Sequence, residues 1–120
     1  MKFSKKHVGE IGENLGVKYL VSAGYEILER NWRFSRAEID IIAKVEEILI
    51  FVEVKTRSYN YYGEPSDAIG EHKERMIMDA AQRYMEEIGH EWEIRFDIIS
   101  VILSGSGGCE KLEHYKDAFF

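Results

Sequence analysis

Two stretches of the chain place apolar side chains at the three- and four-residue spacing of a helix. The first covers residues 4–23, where Ser4 can cap the amino terminus and Gly24 can end the helix. The second covers residues 71–88 and is followed by Gly89. Both stretches are predicted to be amphipathic helices. The apolar stripe of the second one consists of Met76, Ile77, Ala80, Ala81, Tyr84, Met85 and Ile88.

The first predicted helix carries Gly9, Gly12 and Gly16 on about one side. Each glycine costs roughly 1 kcal/mol of helix stability relative to alanine. Close approach of another backbone or of a ligand would explain them, and so would tight packing of the helix on a sheet. We favour packing, because isolated helix glycines are often packing devices.

Runs rich in isoleucine and valine predict the strands. They cover residues 25–30, 37–45, 48–55 and 95–103, with a short fifth candidate at 111–115. Only Glu46 and Glu47 separate the second run from the third, which indicates an antiparallel hairpin. The third run is nearly continuously apolar, as in a central strand covered on both faces.

The order of these elements, α-β-β-β-α-β, predicts an α/β fold with a central mixed sheet flanked by helices. Residues 58–70 are expected to form a loop with a turn or two of helix. No linker interrupts the pattern, and a length of 120 residues suggests a single domain over residues 1–120.

Composition narrows the class of protein. The chain is 45% hydrophobic and 32% charged, too apolar for disorder and too charged for a membrane protein. No apolar run approaches the roughly 20 residues that cross a bilayer. The single cysteine, Cys109, excludes an intramolecular disulfide and a four-cysteine zinc site. We therefore expect a cytoplasmic protein that is not associated with a membrane.

Charge is unevenly distributed. Residues 1–36 carry seven basic and four acidic side chains, a net of +3, whereas residues 37–120 carry nine basic and eighteen acidic ones, a net of −9. The overall acidity argues against a protein that coats nucleic acid non-specifically. It leaves room for an enzyme that meets phosphates through a local basic patch and a bound cation.

Charged side chains interrupt the apolar hairpin. Because side chains alternate along a strand, Glu38 and Asp40 should share one face, and so should Glu53 and Lys55. Such charges are costly in an apolar strand unless they are paired or bind something. If the hairpin places Asp40 beside Glu53, two carboxylates converge next to a lysine. That set suits a hard divalent cation such as Mg²⁺ or Mn²⁺, but a purely structural salt-bridge cluster would use the same residues.

The hairpin pattern resembles the PD-(D/E)xK nuclease superfamily, which includes type II restriction enzymes and archaeal Holliday-junction resolvases. More narrowly, the chain resembles the YraN-like family of uncharacterised proteins predicted to be endonucleases. The similarity runs nearly end to end. The matching stretches are Gly9-x-x-Gly12-Glu13, residues 24–33 (Gly-Tyr-x-Ile-Leu-x-Arg-Asn-Trp-Arg), residues 38–43 (Glu-Ile-Asp-Ile-Ile-Ala), residues 51–57 (Phe-Val-Glu-Val-Lys-Thr-Arg), Gly63-x-Pro65, Lys73, Arg95-Phe96-Asp97 and His114-x-x-x-Ala118-Phe119.

This resemblance implies a restriction-endonuclease-like core and a role for each matching residue. Asp40 and Glu53 would be metal ligands, and the Val54 carbonyl would supply a further oxygen. Lys55 would be the catalytic lysine. Glu13, on the first helix, matches a glutamate that contributes to the metal or water site in related resolvases.

Basic and aromatic side chains near the hairpin could form a rim for DNA phosphates and exposed bases. Lys73, at the start of the second helix, could contact a phosphate or could be an ordinary surface lysine. The aromatic residues could equally be packed beneath a solvated loop. The rim would consist of Arg30, Arg33, Arg36, Arg57, Trp32, Tyr59, Tyr61 and Tyr62.

Two further residues are expected to be structural. Asp97 lies within a predicted strand and should orient Lys55 or an arginine. His114 shows no metal-ligand spacing with the other histidines, so it should pack or form hydrogen bonds near the carboxyl terminus.

The leading hypothesis is a Mg²⁺- or Mn²⁺-dependent endonuclease that hydrolyses phosphodiester bonds in DNA, with branched or otherwise structured DNA among its candidate substrates. A second hypothesis is a non-catalytic nucleic-acid-binding module of a repair or recombination complex. A third is an interaction protein in which the charged cluster is only an ion-pair network. A homodimer would double the DNA-facing surface and supply one site per strand.

Overall fold

The computed structural model describes residues 5–58, 71–106 and 108–119. The expected loop at 58–70, with Tyr59, Tyr61, Tyr62 and the Gly63-x-Pro65 stretch, lies outside the described residues apart from Ser58. The elements are α1 (Lys5–Ser22), β1 (Glu26–Phe34), β2 (Ala37–Val45), β3 (Ile48–Ser58), α2 (Glu71–Ile88), β4 (Ile94–Leu103) and β5 (Cys109–Tyr115).

The described strands form one five-stranded sheet in the order β1-β2-β3-β4-β5. Neighbouring strands are antiparallel except β3 and β4, which are parallel because α2 crosses over between them. The prediction of an α/β fold with a central mixed sheet and flanking helices is confirmed, and the candidate fifth strand is present.

Both predicted helices are present, and glycine ends each of them. Gly24 has a φ of +93° and Gly89 a φ of +69°, in the left-handed region that glycine adopts without a steric cost. Neither helix has the length and apolarity together that crossing a bilayer would require. The bounds of α2 coincide with the predicted range 71–88.

The first strand is longer than predicted. It continues to Phe34, since Trp32 pairs with Ile39 and Phe34 with Ala37 of the neighbouring strand. The polar residues of this segment gave no strand periodicity, so tertiary pairing decides its conformation.

The two helices cover opposite faces of the sheet and divide the core in two. On the α2 face, Ile77 and Tyr84 pack with Phe51 and Phe96 of the central strands. On the α1 face, Leu20 packs with a separate set of strand residues that includes Val52. The central strand β3 is therefore buried on both faces, as its continuous apolar run predicted.

The three glycines of α1 have different surroundings, so no single reason explains them. A Cβ at Gly12 would overlap the side chain of Thr56 on β3, and one at Gly16 would lie 3.5 Å from Ile41 and Val54. These two glycines let the helix approach the sheet closely, as predicted. The packing interpretation is wrong for Gly9, because a Cβ there would meet no described atom within 4 Å.

Candidate functional site

The candidate site lies where β2 and β3 stop pairing. Their ladder runs from Val45–Ile48 to Ile41–Val52 and ends there. One residue further, the Asp40 carboxylate accepts a hydrogen bond from the Val54 amide, with Oδ2 2.8 Å from the nitrogen. Since the amide and carbonyl of one strand residue point to the same side, the Val54 carbonyl also points toward β2.

The alternation of side chains between the two faces of the sheet is interrupted in β2 next to Asp40. Ile39 packs in the core on the α2 face, whereas Ile41 packs in the core on the α1 face. Unbroken alternation would put both on one face. The expectation that side chains alternate regularly along β2 through Asp40 is therefore wrong. Asp40 occupies the position at which β2 changes the face that its side chains present.

Asp40 and Glu53 line the same depression, which has a volume of about 240 Å³. Glu53 is only 8% exposed. Burial, and then the negative charge of Glu53, raise the pKa of Asp40 to about 8 against the opposing hydrogen bond from Val54. The other residues that line the depression are Arg36, Ala37, Glu38, Lys73, Met76 and Ile77.

Two lysines accompany the carboxylates. Lys55 is 6% exposed and lies two residues beyond Glu53, so strand alternation gives the two side chains the same face of β3. Lys73, near the start of α2, places its Nζ 2.7 Å from Glu53 Oε1. The structure thus pairs Lys73 with a carboxylate of the depression.

Glu13 projects from α1 into a separate recess of about 420 Å³ on the other side of β2. The Asn31 amide donates to Glu13 at 2.8 Å and to Glu38 at 3.3 Å. The negative charge of Glu13 still contributes to the raised pKa of Asp40. Glu13 therefore acts electrostatically on Asp40 from the opposite face, with Glu38 bordering both the recess and the depression.

Of the five basic residues that were proposed to meet DNA, two line the depression and one lines the recess. Arg36 and Lys73 line the depression. Arg33 is ion-paired with Glu38 at 2.7 Å, and Arg30 donates to Asn14 on α1. Arg57 lies on β3 two residues beyond Lys55.

Trp32 is a packed aromatic residue. Its ring makes an edge contact with Tyr84 at a centroid distance of 5.2 Å and packs against the core of the α2 face. The packing alternative therefore holds for Trp32.

Asp97 anchors a buried polar network on β4. Its carboxylate accepts two hydrogen bonds from Arg95, both 2.8 Å, and one of 2.7 Å from His114. His114 Nδ1 lies 3.0 Å from the Tyr19 hydroxyl of α1. Burial alone would raise the pKa of Asp97, but the hydrogen bonds from His114, Arg95 and the Asp117 amide hold it below its usual value. The expected structural roles of Asp97, toward an arginine, and of His114 are confirmed.

Asp40 and Glu53 fit a divalent cation by the chemistry of their donors. Both are carboxylates that line one depression, and burial together with the negative charge of Glu53 raises the pKa of Asp40. Within the described ranges, no group of three acidic, histidine or cysteine side chains is assembled around one point. Mg²⁺ commonly uses only one or two carboxylates and completes its shell with waters and substrate phosphate oxygens.

Sequence reasoning missed Asn31 as a residue of the site. It has a φ of +51° within β1, and its amide joins Glu13 to Glu38. Asparagine adopts this backbone region more readily than most residues, so an asparagine between Arg30 and Trp32 was the available signal.

Comparison with known proteins places the sequence in a family. The sequence model of the uncharacterised protein family UPF0102 matches residues 12–101. A UPF0102 protein of Flavobacterium psychrophilum is 45% identical over 113 residues, covering 94% of this chain and 93% of its own length. UPF0102 proteins of Rhodococcus jostii and Clostridium botulinum are each 41% identical, over 93% and 99% of this chain and 95% and 98% of their own lengths. The chain belongs to the UPF0102 family.

Proposed function

We propose that the chain is a metal-dependent endonuclease that hydrolyses phosphodiester bonds in DNA. The observation that carries the proposal is the convergence of two carboxylates, the half-buried Asp40 and the buried Glu53, on one depression at the end of the β2–β3 ladder. Structural ion pairs normally leave each carboxylate with a cation close by. Here burial, and then the negative charge of Glu53, raise the pKa of Asp40 to about 8, as expected for a poorly solvated carboxylate beside a like charge.

Four residues at the end of the β2–β3 ladder have defined roles in this proposal. Asp40 and Glu53 would hold Mg²⁺ or Mn²⁺, with the Val54 carbonyl as a further oxygen donor. A divalent cation in such a site polarises a phosphate oxygen and lowers the pKa of a coordinated water. The Lys55 ammonium, buried on the Glu53 face of β3, would orient the attacking water and stabilise the charge that develops on the phosphorus oxygens.

The surroundings of the depression suit a phosphate backbone. Arg36 is exposed and lines the depression, and Arg57 lies further along the β3 face that carries Lys55. Their charges would offset the repulsion between DNA and an acidic chain. The resemblance to resolvases makes branched or otherwise structured DNA the first substrate to test beside linear duplex.

The test is a cleavage assay with purified protein, Mg²⁺ or Mn²⁺, and linear, single-stranded and four-way-junction DNA. We expect wild type to cleave at least one of them, and Asp40→Asn, Glu53→Gln and Lys55→Ala to lose about a hundredfold or more of the rate. Glu113→Gln, which removes an exposed carboxylate paired with Lys111 on β5, is the matched control and should cleave normally.

DNA binding, measured with Ca²⁺ in place of Mg²⁺, separates chemistry from affinity. Lys55→Ala should bind DNA nearly as wild type does, whereas Arg36→Ala should bind more weakly and with a smaller salt dependence. DNA binding by wild type without cleavage of any substrate would contradict the nuclease proposal and support the non-catalytic binding module. If wild type neither binds nor cleaves DNA, the charged cluster is only an ion-pair network.

A further inference from the structure

One cation contact in the candidate site comes from α2, an element that the proposed chemistry does not use. Lys73 Nζ lies 2.7 Å from Glu53 Oε1, and its side chain is 51% exposed while that of Glu53 is 10% exposed. Lys73 thus reaches from solvent into the depression and covers one of the two proposed metal ligands.

Because of this contact, the two carboxylates have different kinds of partner. Glu53 has a cation within hydrogen-bond distance, whereas Asp40 accepts a hydrogen bond from the neutral Val54 amide. A divalent cation bound by both carboxylates would sit on the same Glu53 carboxylate that Lys73 contacts through Oε1. Two cations held that close on one carboxylate repel each other strongly.

We propose that Lys73 is the resident counter-cation of Glu53 in the metal-free protein and that a divalent cation displaces it. This inference rests on the proposed metal site. Displacement would free the Lys73 ammonium at the rim of the depression, where it can contact a phosphate of bound DNA. Lys73 is therefore a positioning residue that holds the Glu53 side chain in place before the metal arrives.

The structure supplies a matched control. Lys111 also forms a lysine–carboxylate pair, with Nζ 3.1 Å from Glu113 Oε1 and a side chain that is 60% exposed, but it lies on β5, outside the depression. Removing either lysine changes the net charge of the protein equally. Only removal of Lys73 removes a competitor for the metal.

The test is calorimetric titration of Mn²⁺ into metal-free wild type, Lys73→Met, Lys73→Arg and Lys111→Met, without DNA and at fixed ionic strength. We expect Lys73→Met to bind Mn²⁺ about three- to fivefold more tightly than wild type, which is the upper end of what exposed ion pairs contribute. Lys73→Arg and Lys111→Met should match wild type within error, since both variants keep a competing cation at Glu53.

The outcomes separate this inference from the proposed function. Equal or weaker Mn²⁺ binding by Lys73→Met, with normal binding by wild type, would overturn the role of Lys73 and leave the metal site intact. Equal tightening in Lys73→Met and Lys111→Met would also overturn it, because the effect would then be one of net charge. No Mn²⁺ binding by any of the four proteins would overturn both the inference and the proposed metal site.

Discussion

Asn31 of β1 lies opposite Asp40 of β2, because the flanking pairs Arg30–Ile41 and Trp32–Ile39 keep one register. In both strands the regular alternation of side chains between the two faces of the sheet is interrupted at this pair of residues. Arg30 reaches Asn14 of α1, whereas Trp32 packs against Tyr84 of α2. The left-handed φ of Asn31, +51°, accommodates the change in β1 and thereby fixes where Asp40 leaves the alternation of β2.

The first prediction concerns the backbone of Asn31. Asn31→Ala and Asn31→Gly both lose the amide contacts to Glu13 and Glu38, but only alanine resists a positive φ. We expect the alanine variant to be less stable than the glycine variant by about 1 kcal/mol, measured by urea unfolding. Asn14 is the control, since it lies inside α1 and there alanine should be the more stable by about 1 kcal/mol. The same order at both positions would contradict a strained Asn31.

The second prediction follows from the raised pKa of Asp40. The pKa of Asp40 in the folded state is about 8, so the fold holds this proton up to about pH 8, whereas the carboxyl of an unfolded chain loses it near its ordinary pKa of 3.8. Stability without metal should therefore fall as the pH rises from about 4 to about 8. Asn can still accept the Val54 hydrogen bond but carries no charge. Asp40→Asn should thus equal wild type at pH 4 and exceed it by up to a few kcal/mol at pH 8.5.

Urea unfolding in EDTA across this pH range measures the difference. Glu113→Gln, at an exposed carboxylate outside the site, controls for the loss of one negative charge. A stability gap between wild type and Asp40→Asn that is constant with pH would mean that Asp40 is not held in a poorly solvated, like-charged site.

The third prediction concerns Asp97, whose contribution to stability depends on pH in the opposite direction. The pKa of Asp97 is lowered, so its contribution to stability is present above the unfolded value near 3.8 and is lost as the pH falls through the lower folded value. Asp97→Asn leaves Arg95 and His114 without a carboxylate and should cost about 3 kcal/mol at pH 7. The gap from wild type should narrow below about pH 4, where the wild-type carboxylate protonates. Unfolding curves at pH 7, 4 and 2.5 give the comparison, and a gap that persists unchanged at pH 2.5 would contradict it.

The fourth prediction separates the glycines of α1. Gly12→Ala must displace Thr56 of β3 and should cost about 1–3 kcal/mol. Gly9→Ala meets open space in the interior of a helix and should stabilise the protein by about 0.5–1 kcal/mol. Thermal unfolding of both variants tests this difference, and destabilisation by Gly9→Ala would mean that the open space at Gly9 is filled in solution.

Much of the fold follows from local patterns in the sequence. The amphipathic stripe and Gly89 locate α2, and the two glutamates between two apolar runs locate the β2–β3 turn. Because that turn has two residues, the register is set, and it brings Ile41 opposite Val52 and hence Asp40 near Glu53. The convergence of the two carboxylates was accessible from the sequence for this reason.

Other features depend on tertiary contacts that no local pattern carries. Alternation predicts one face for Ile39 and Ile41 and the opposite face for Asp40, and it fails because β1 and β2 change face together at Asn31 and Asp40. The partner of Lys73 is twenty residues away in sequence, and the helix that carries it is positioned by packing on the α2 face. The separation of Glu13 from the depression likewise follows from α1 lying on the opposite face.

The most direct test of the account is a crystal grown with Mn²⁺ and measured at the manganese absorption edge. We expect one anomalous peak in the depression, about 2.0–2.3 Å from a carboxylate oxygen of Asp40 and one of Glu53, with Lys73 no longer bound to Glu53. A crystal grown in saturating Mn²⁺ that shows no peak between these carboxylates, and in which the Lys73–Glu53 ion pair is intact, would contradict the metal-dependent nuclease proposal.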